Sequence, residues 1–436
     1  MALLSGAPLI DRAGAVLDGN WMGRATKPAP NLYPHQWSWD SAFIAIGNRH
    51  LRWDRAATEL TTLFDAQWTN GMVPHIVFAG DDPGYFPSGS VWRSNRSPHC
   101  PRGISSSGIC QPPVHATAVL AVFRARPDED GERFVRSLIP KLVAWHDYLH
   151  RVRAVGSPLI EIWHPWESGR DNNPEWDGPL SAVRFSPDEV PSYRRVDTDH
   201  ADAGDRPSDA EYDVYLYLVE QLKANRHEPE APQAMPFRVR DVLLNSILVR
   251  AEHDLARLCD LVGVDSAGRR DRAVGLAEAI HTTLWSEKSG LYHSQNAIDS
   301  RLIPARTSGA FLPMLTGSVE DGRLVRLLNA LQRDFLVPVG DDGAVPLTIP
   351  VDEPGFDAGR YWRGPAWINM CWLIAEGLDA HGQEHLADRL RRGAVTLCAE
   401  LGFHEYFDPR QRSGHGSDDF SWSAALTVDL IHRSGG

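Results

Sequence analysis

The stretch Phe134-Val-Arg-Ser-Leu-Ile-Pro-Lys-Leu-Val-Ala-Trp-His-Asp-Tyr-Leu-His-Arg-Val152 sets Phe134, Leu138, Leu142, Trp145, Leu149 and Val152 three or four residues apart. At that spacing the apolar side chains share one face of a helix, whose other face is polar. Val239, Leu243, Ile247, Ala251, Leu255 and Leu258 repeat the pattern, and shorter versions fall near 54–68, 114–125, 212–224, 270–285, 322–335, 366–379, 384–401 and 421–433. Several of these stretches end near Gly or Pro, as helix termini do. Alternating strand patterns are few and short, and the buried apolar strands that a βαβ fold needs between its helices are missing. The pattern predicts an all-α protein of roughly a dozen helices, whose hairpins close into a double ring with a site at one end. A linear solenoid would repeat every ~33–47 residues, and no such self-similarity is present.

Composition bounds the rest. The chain has 436 residues, 42% hydrophobic and 23% charged, which suits one globular domain (1–436) with a sizeable core. A net charge of -13 without any basic run argues against a nucleic-acid partner. No run approaches the ~20 apolar residues of a membrane helix. Met1 to Arg12 lacks a basic n-region and is broken by Gly6, Pro8 and Asp11, so a signal peptide is not expected and the cytoplasm is the default. The five cysteines are odd in number and scattered, with no Cys-x-x-Cys pair, and read as reduced thiols. His99, Cys100, Cys110 and His115 match no common zinc spacing, so no metal or cofactor is expected. Self-association is compatible with the sequence. Pro174 to Pro207, with five prolines, is the longest stretch without periodicity, and a cap or lid of approximately 174–210 is expected there.

The 15 tryptophans concentrate in Gly- and Pro-punctuated segments rather than in the periodic ones. Sugars stack their C–H faces on indole and phenol rings while polar groups fix their hydroxyls, so a small sugar is the leading ligand. Four segments combine aromatics with acids or amides. In Tyr33-Pro-His-Gln-Trp-Ser-Trp-Asp40, Asp40 either caps a helix from Ser41 to Ile46 or faces a ligand. Trp163 to Asp177 holds three indoles and the four carboxylates Glu167, Asp171, Glu175 and Asp177. Indole packing disfavours the charged form of a carboxyl and raises its pKa, as a general acid requires. Tyr361-Trp-Arg-Gly-Pro-Ala-Trp367 is a Gly-Pro turn between aromatics, and Phe403-His-Glu405-Tyr-Phe-Asp-Pro409 places a glutamate in an aromatic loop near the C-terminus. Glu405 either bonds neighbouring amides or takes part in chemistry. Two carboxyls from distant segments meeting across an aromatic cleft is what glycoside hydrolysis needs, the separation distinguishing retention from inversion.

These segments, with Asn70-Gly-Met-Val-Pro-His-Ile-Val77, resemble glycoside hydrolase family 63, and within it the bacterial branch of mannosylglycerate and glucosylglycerate hydrolases. The likeness runs over nearly the whole chain. The motifs are Leu32 to Asp40, Asn70 to Val77, Glu167-Ser-Gly-Arg-Asp171-Asn, Tyr361 to Trp367 and His404 to Pro409. Taken singly, each also suits the trehalases of another toroid family. The resemblance implies an (α/α)6 toroid with a cap of long inter-helix loops. It also implies an inverting α-glycosidase acting on glucosylglycerate or mannosylglycerate, with Asp171 as general acid and Glu405 as general base. It further implies that Tyr33, Trp37 and Asp40 hold the sugar and that Tyr85, Gln111, Arg206, Tyr361 and Trp362 surround the glycerate. Trp39, Trp166, Glu167, Tyr212 and Trp367 complete the expected substrate-binding set. Arg206 is placed through Asp205-Arg-Pro-Ser-Asp-Ala-Glu-Tyr212 in the cap.

Rival readings keep the fold and change the aglycone to trehalose, kojibiose or glucosylglycerol. A sugar epimerase or isomerase would instead use loop histidines such as His35, His75, His164 and His404, and a non-catalytic sugar binder would need no acid and base at all.

Overall fold

The computed structural model describes residues 6–80, 84–196, 204, 206–228 and 232–434. Fourteen α-helices occur among them, in chain order α1 (Gly6–Gly19), α2 (Ser38–Leu51), α3 (Trp53–Asp65), α4 (Gly89–Trp92), α5 (His115–Ala125), α6 (Glu129–Tyr148) and α7 (Asp177–Ser181), then α8 (Asp209–Ala224), α9 (Val242–Val262), α10 (Ala267–Thr283), α11 (Asp321–Ala330), α12 (Ile368–Asp379), α13 (Glu384–Leu401) and α14 (Ser421–Ser434). A 3-10 segment, Ser308–Thr316, carries Pro313 inside it. The chain is thus mostly helical, and every periodic stretch of the sequence falls on a helix.

Burial sorts the helices into two kinds. Ser38 to Asn48 of α2, Ile368 to Leu378 of α12 and Ser421 to Leu430 of α14 are buried without interruption. On α3 only Ala56, Glu59, Leu60, Leu63 and Phe64 are. A helix buried on all sides lies inside a protein, and one with a single apolar stripe lies on its outside. The packing follows that division. α2 touches α5, α5 touches α9, α9 touches Ser308–Thr316, that segment touches α12, α12 touches α14, and α14 returns to α2. Around them α3 packs on α2, α6 on α5 and α9, α10 on α9, α13 on α12 and α14, and α1 on α14. The α2 to α14 contact depends on Gly47, where a Cβ would lie 2.1 Å from the Ala425 carbonyl oxygen.

Two boundaries differ from expectation for local reasons. Val239 and Arg240 form a short strand rather than a helix start, because the Asp241 side chain accepts from the Leu243 N–H at 3.0 Å and caps α9 there. Asp40 lies within the first turn of α2, whose cap position is Trp37, so it does not cap a helix starting at Ser41. Among the described residues the strands form only two-stranded antiparallel pairs. The cap segment is not a plain loop: it contains the short turns Pro174–Trp176 and Pro187–Glu189 as well as α7, while its residues 197–203 and 205 lie outside the described ones. No helix of the described residues is long and apolar enough to cross a membrane.

Candidate active site

A pocket opens where the four aromatic segments meet. Trp37, Trp39, Asp40, Tyr33 and His75 line one side of it; Asp171, Trp166 and Gln111, then Tyr361, Trp362, Trp367 and Glu405, complete it with Tyr85, Arg206 and Tyr212. Of the residues expected to carry the chemistry or to bind substrate, only Glu167 is absent from this lining.

The first segment is fixed by pairing. Gln36 and Trp37 lie opposite Val77 and Ile76, and the Ser38 N–H donates to the His75 carbonyl at 2.9 Å, so α2 begins against the second strand. Beneath this turn the fully buried Glu59 carboxyl accepts from Thr26, Gln36 and Ser41. Burial pushes Glu59 up to about 7 against those hydrogen bonds. The Gln111 Oε1 accepts the Trp39 N–H at 3.2 Å, which anchors the first turn of α2 from across the pocket.

Asp171 is delivered by a short 3-10 turn, Pro165–Ser168. His164 starts it, its Nδ1 accepting from the Trp166 N–H at 3.1 Å, and Gly169 ends it at φ 69°. A Cβ on Gly169 would come within 2.4 Å of the Trp39 ring, so both conformation and space require glycine. Glu167 and Arg170 point away from the pocket into buried ion pairs. Arg153 donates twice to Glu167, at 2.8 and 2.6 Å, and the Trp163 and Cys110 N–H groups add to it. Arg170 pairs with Glu175 and Asp241 at 2.8 and 2.7 Å. Glu167 was expected to touch substrate, but both of its oxygens are occupied by the scaffold. Among the described residues no side-chain hydrogen bond reaches the Asp171 carboxyl.

Tyr361 has a left-handed backbone, φ 41°, uncommon for a bulky residue. Its conformation is held by Trp367 Nε1, which donates to the Tyr361 carbonyl at 3.0 Å, and by the Trp362 N–H, which donates to Asn172 Oδ1 at 3.1 Å. Trp362 and Trp367 stack at 3.8 Å. An antiparallel bridge between Ala366 and Phe407 then ties this turn to the loop bearing Glu405. Tyr33 Oη donates to Glu405 Oε1 at 2.7 Å, and the Ser417 N–H donates to Oε2 at 3.1 Å. Arg206 reaches the same carboxylate, its Nη2 3.4 Å from Oε2, while its Nη1 donates to Tyr33 Oη at 3.0 Å.

Asp171 and Asp40 are unlike surface carboxyls. Burial lifts Asp171 to about 7, opposed by the Arg206 charge and reinforced by Glu405. Burial also raises Asp40 well above the usual carboxylate range, with Glu405, Glu59 and Asp171 adding to it. His75, stacked on Trp166, is pushed down to about 3 by burial and stays neutral. His75, Phe420 and Trp422 line the pocket without having been singled out as substrate contacts. His75 lies in the second motif and the other two follow Glu405 closely, so proximity to a motif was the available signal. Of the four loop histidines an epimerase would draw on, only His75 faces the pocket.

An aromatic pocket lined by carboxyls from two distant segments marks a carbohydrate-active protein. The family model of the mannosylglycerate hydrolase MGH1-like glycoside hydrolase domain matches residues 33–423. The chain is 46% identical over 429 residues to the mannosylglycerate hydrolase of Rubrobacter radiotolerans, covering 97% of this chain and 96% of that one. It is 36% identical over 439 residues to the glucosylglycerate hydrolase of Mycolicibacterium hassiacum, covering 97% of each. The crystal structure of a family 63 mannosylglycerate hydrolase from Thermus thermophilus, in complex with Tris and D-glycerate, superposes with a TM-score of 0.90 at 39% identity, over 97% of this chain and 100% of that one. The chain therefore belongs to the mannosylglycerate hydrolase MGH1-like glycoside hydrolases of family 63, and it is an enzyme that hydrolyses glycosidic bonds.

Proposed function

We propose that this enzyme hydrolyses mannosylglycerate or glucosylglycerate to the free sugar and glycerate with inversion, Asp171 acting as general acid and Glu405 as general base. The observation that carries the reading is the convergence of Asp171, Glu405 and Arg206 on one tryptophan-lined pocket. A carboxyl lifted to about 7 still holds a proton near neutrality and can pass it to the departing oxygen. Glu405, aligned by Tyr33 and Ser417, takes a proton from water on the other face of the sugar. Asp40, whose carboxyl burial holds well above the usual range, lines the same pocket and can hydrogen-bond a sugar hydroxyl. Tyr85, Gln111, Arg206, Tyr361 and Trp362 surround the glycerate in this reading. The relatives at 46% and 36% identity make the two sugars joint candidates.

In the same reading the six mutually packed elements are the inner ring of an (α/α)6 toroid, capped by residues 174–210, and the whole chain is one catalytic unit. The five cysteines are free, four of them buried, as suits a reducing cytoplasm.

The experiment is incubation with mannosylglycerate, glucosylglycerate, glucosylglycerol, trehalose and kojibiose, with proton NMR of the first product. Release of β-hexose from a hexosylglycerate is expected. Asp171→Asn and Glu405→Gln should each lower kcat by about 10²-fold or more. Initial α-hexose would exclude inversion, and near-normal turnover in either variant would remove that residue from the chemistry.

A further inference from the structure

The buried guanidinium of Arg206 serves two carboxyls at once. It contacts Glu405 directly at 3.4 Å, and it is the strongest influence holding Asp171 down against burial. Tyr361 lies 4.8 Å beneath it, and among the described residues the Arg206 Nε has no acceptor although the residue is only 5% exposed. A contact of 3.4 Å is long for a charge-assisted pair, whose donors and acceptors sit ~2.7–2.9 Å apart. The Nε is therefore unsatisfied, Nη2 is weakly held by Glu405, and Nη1 is held by Tyr33. Glu405 in turn already accepts from Tyr33 and from the Ser417 N–H, so Arg206 is a third donor on a carboxylate that has to keep a lone pair for water.

We propose that Arg206 couples aglycone charge to turnover: a carboxylate on the leaving group takes its guanidinium from Glu405, and this exchange frees the base. The proposal rests on the reading of Asp171 and Glu405 as acid and base. A bidentate carboxylate satisfies the fork that Glu405 satisfies only partly. Neutralising Arg206 also removes its pull on Asp171, which then holds its proton more firmly until the glycosidic oxygen needs it. An uncharged aglycone leaves Arg206 on Glu405, so it is penalised in kcat and not only in KM. Arg206 then selects for anionic leaving groups through the chemistry as well as through binding.

The test separates sugar from carboxylate. α-Mannosyl fluoride and α-glucosyl fluoride leave the aglycone position empty; water adds at C1 as fluoride departs, and Glu405 takes the water proton. Adding D-glycerate to wild-type enzyme should raise the kcat for fluoride hydrolysis saturably by about tenfold, the lower end for one charge-assisted hydrogen bond. Glycerol should give no acceleration, and Arg206→Met should lose the response to D-glycerate. A wild-type rate that D-glycerate leaves unchanged or only inhibits, with hexosylglycerate still hydrolysed, overturns the coupling and leaves the hydrolase reading intact. Turnover of neither fluoride nor hexosylglycerate overturns both.

Discussion

Asp171→Asn should make the protein more stable at alkaline pH while removing its activity. In the folded protein the carboxyl gives up its proton at about 7, against an ordinary value of 3.8. The folded state therefore holds more protons than the unfolded chain between those values, and stability falls as pH rises through that window. At about 1.36 kcal/mol per pH unit, the penalty amounts to roughly 4 kcal/mol once pH passes 8, from 7 minus 3.8. At pH 5 only 5 minus 3.8 has been crossed, which is roughly 1–2 kcal/mol. Asparagine carries no such penalty, so the variant gains roughly 2–3 kcal/mol on wild type between the two pH values. Unfolding entropy of about 2.1 cal/mol/K per residue gives roughly 0.9 kcal/mol/K for 436 residues, so the Tm difference should widen by about 3 °C. Glu59 and Asp40 titrate in both proteins and cancel to first order in the comparison. Scanning calorimetry of both proteins at pH 5 and pH 8 measures this. A gap that is equal at the two pH values, or that narrows toward pH 8, refutes the buried-acid assignment.

Two further substitutions test the supporting structure. Gly169→Ala places a Cβ against the Trp39 ring in a left-handed turn, and should cost about 2–5 kcal/mol from conformation and overpacking together; since Asp171 follows two residues later, kcat/KM of the folded fraction should fall about 10²-fold. Unchanged kcat/KM would mean that Asp171 is not positioned through this turn. Arg153→Met leaves Glu167 buried without its cation and should cost about 3–5 kcal/mol, whereas Arg153→Met with Glu167→Met should recover much of that, as urea denaturation would show. A double variant as unstable as the single one would mean that the pair contributes no more than the packing of its side chains.

Most helices were legible because their one-sided burial writes a period into the sequence. α1 escaped because Pro8 and Gly6 look like breaks, yet Pro8 falls in the first turn, where a missing N–H costs nothing, and Leu9, Ala13 and Leu17 make the buried stripe. Ser308–Thr316 escaped because its apolar run from Ala310 to Leu315, with Pro313 inside it, has no helical period; only its neighbours α9 and α12 give it a place in the ring. In the candidate site the residue types were readable and the facing was not. Trp422 sits at the start of α14, and it reaches the pocket only because α14 closes against α2.

Glu167 and Asp171 show why composition could nominate an acidic segment without ranking its members. The two are four residues apart, and both lie among indoles. What separates them is supply: Arg153, fourteen residues upstream, gives Glu167 two charged donors, and two backbone N–H groups complete its shell. A carboxylate so provided is bound into the scaffold and holds structure in place. Asp171 receives no donor from a side chain of the described residues and only a distant share of Arg206, so burial dominates and its proton stays on to about 7. Glu59 shows that a raised value alone does not mark function, because it titrates as high as Asp171 while four hydrogen bonds close it off from the pocket. The combination that singles out Asp171 is a carboxyl lifted by burial, left without donors and open to the cavity. Each of those conditions is set by residues far from it in sequence, which is why residue types alone do not rank the candidate acid among its neighbours.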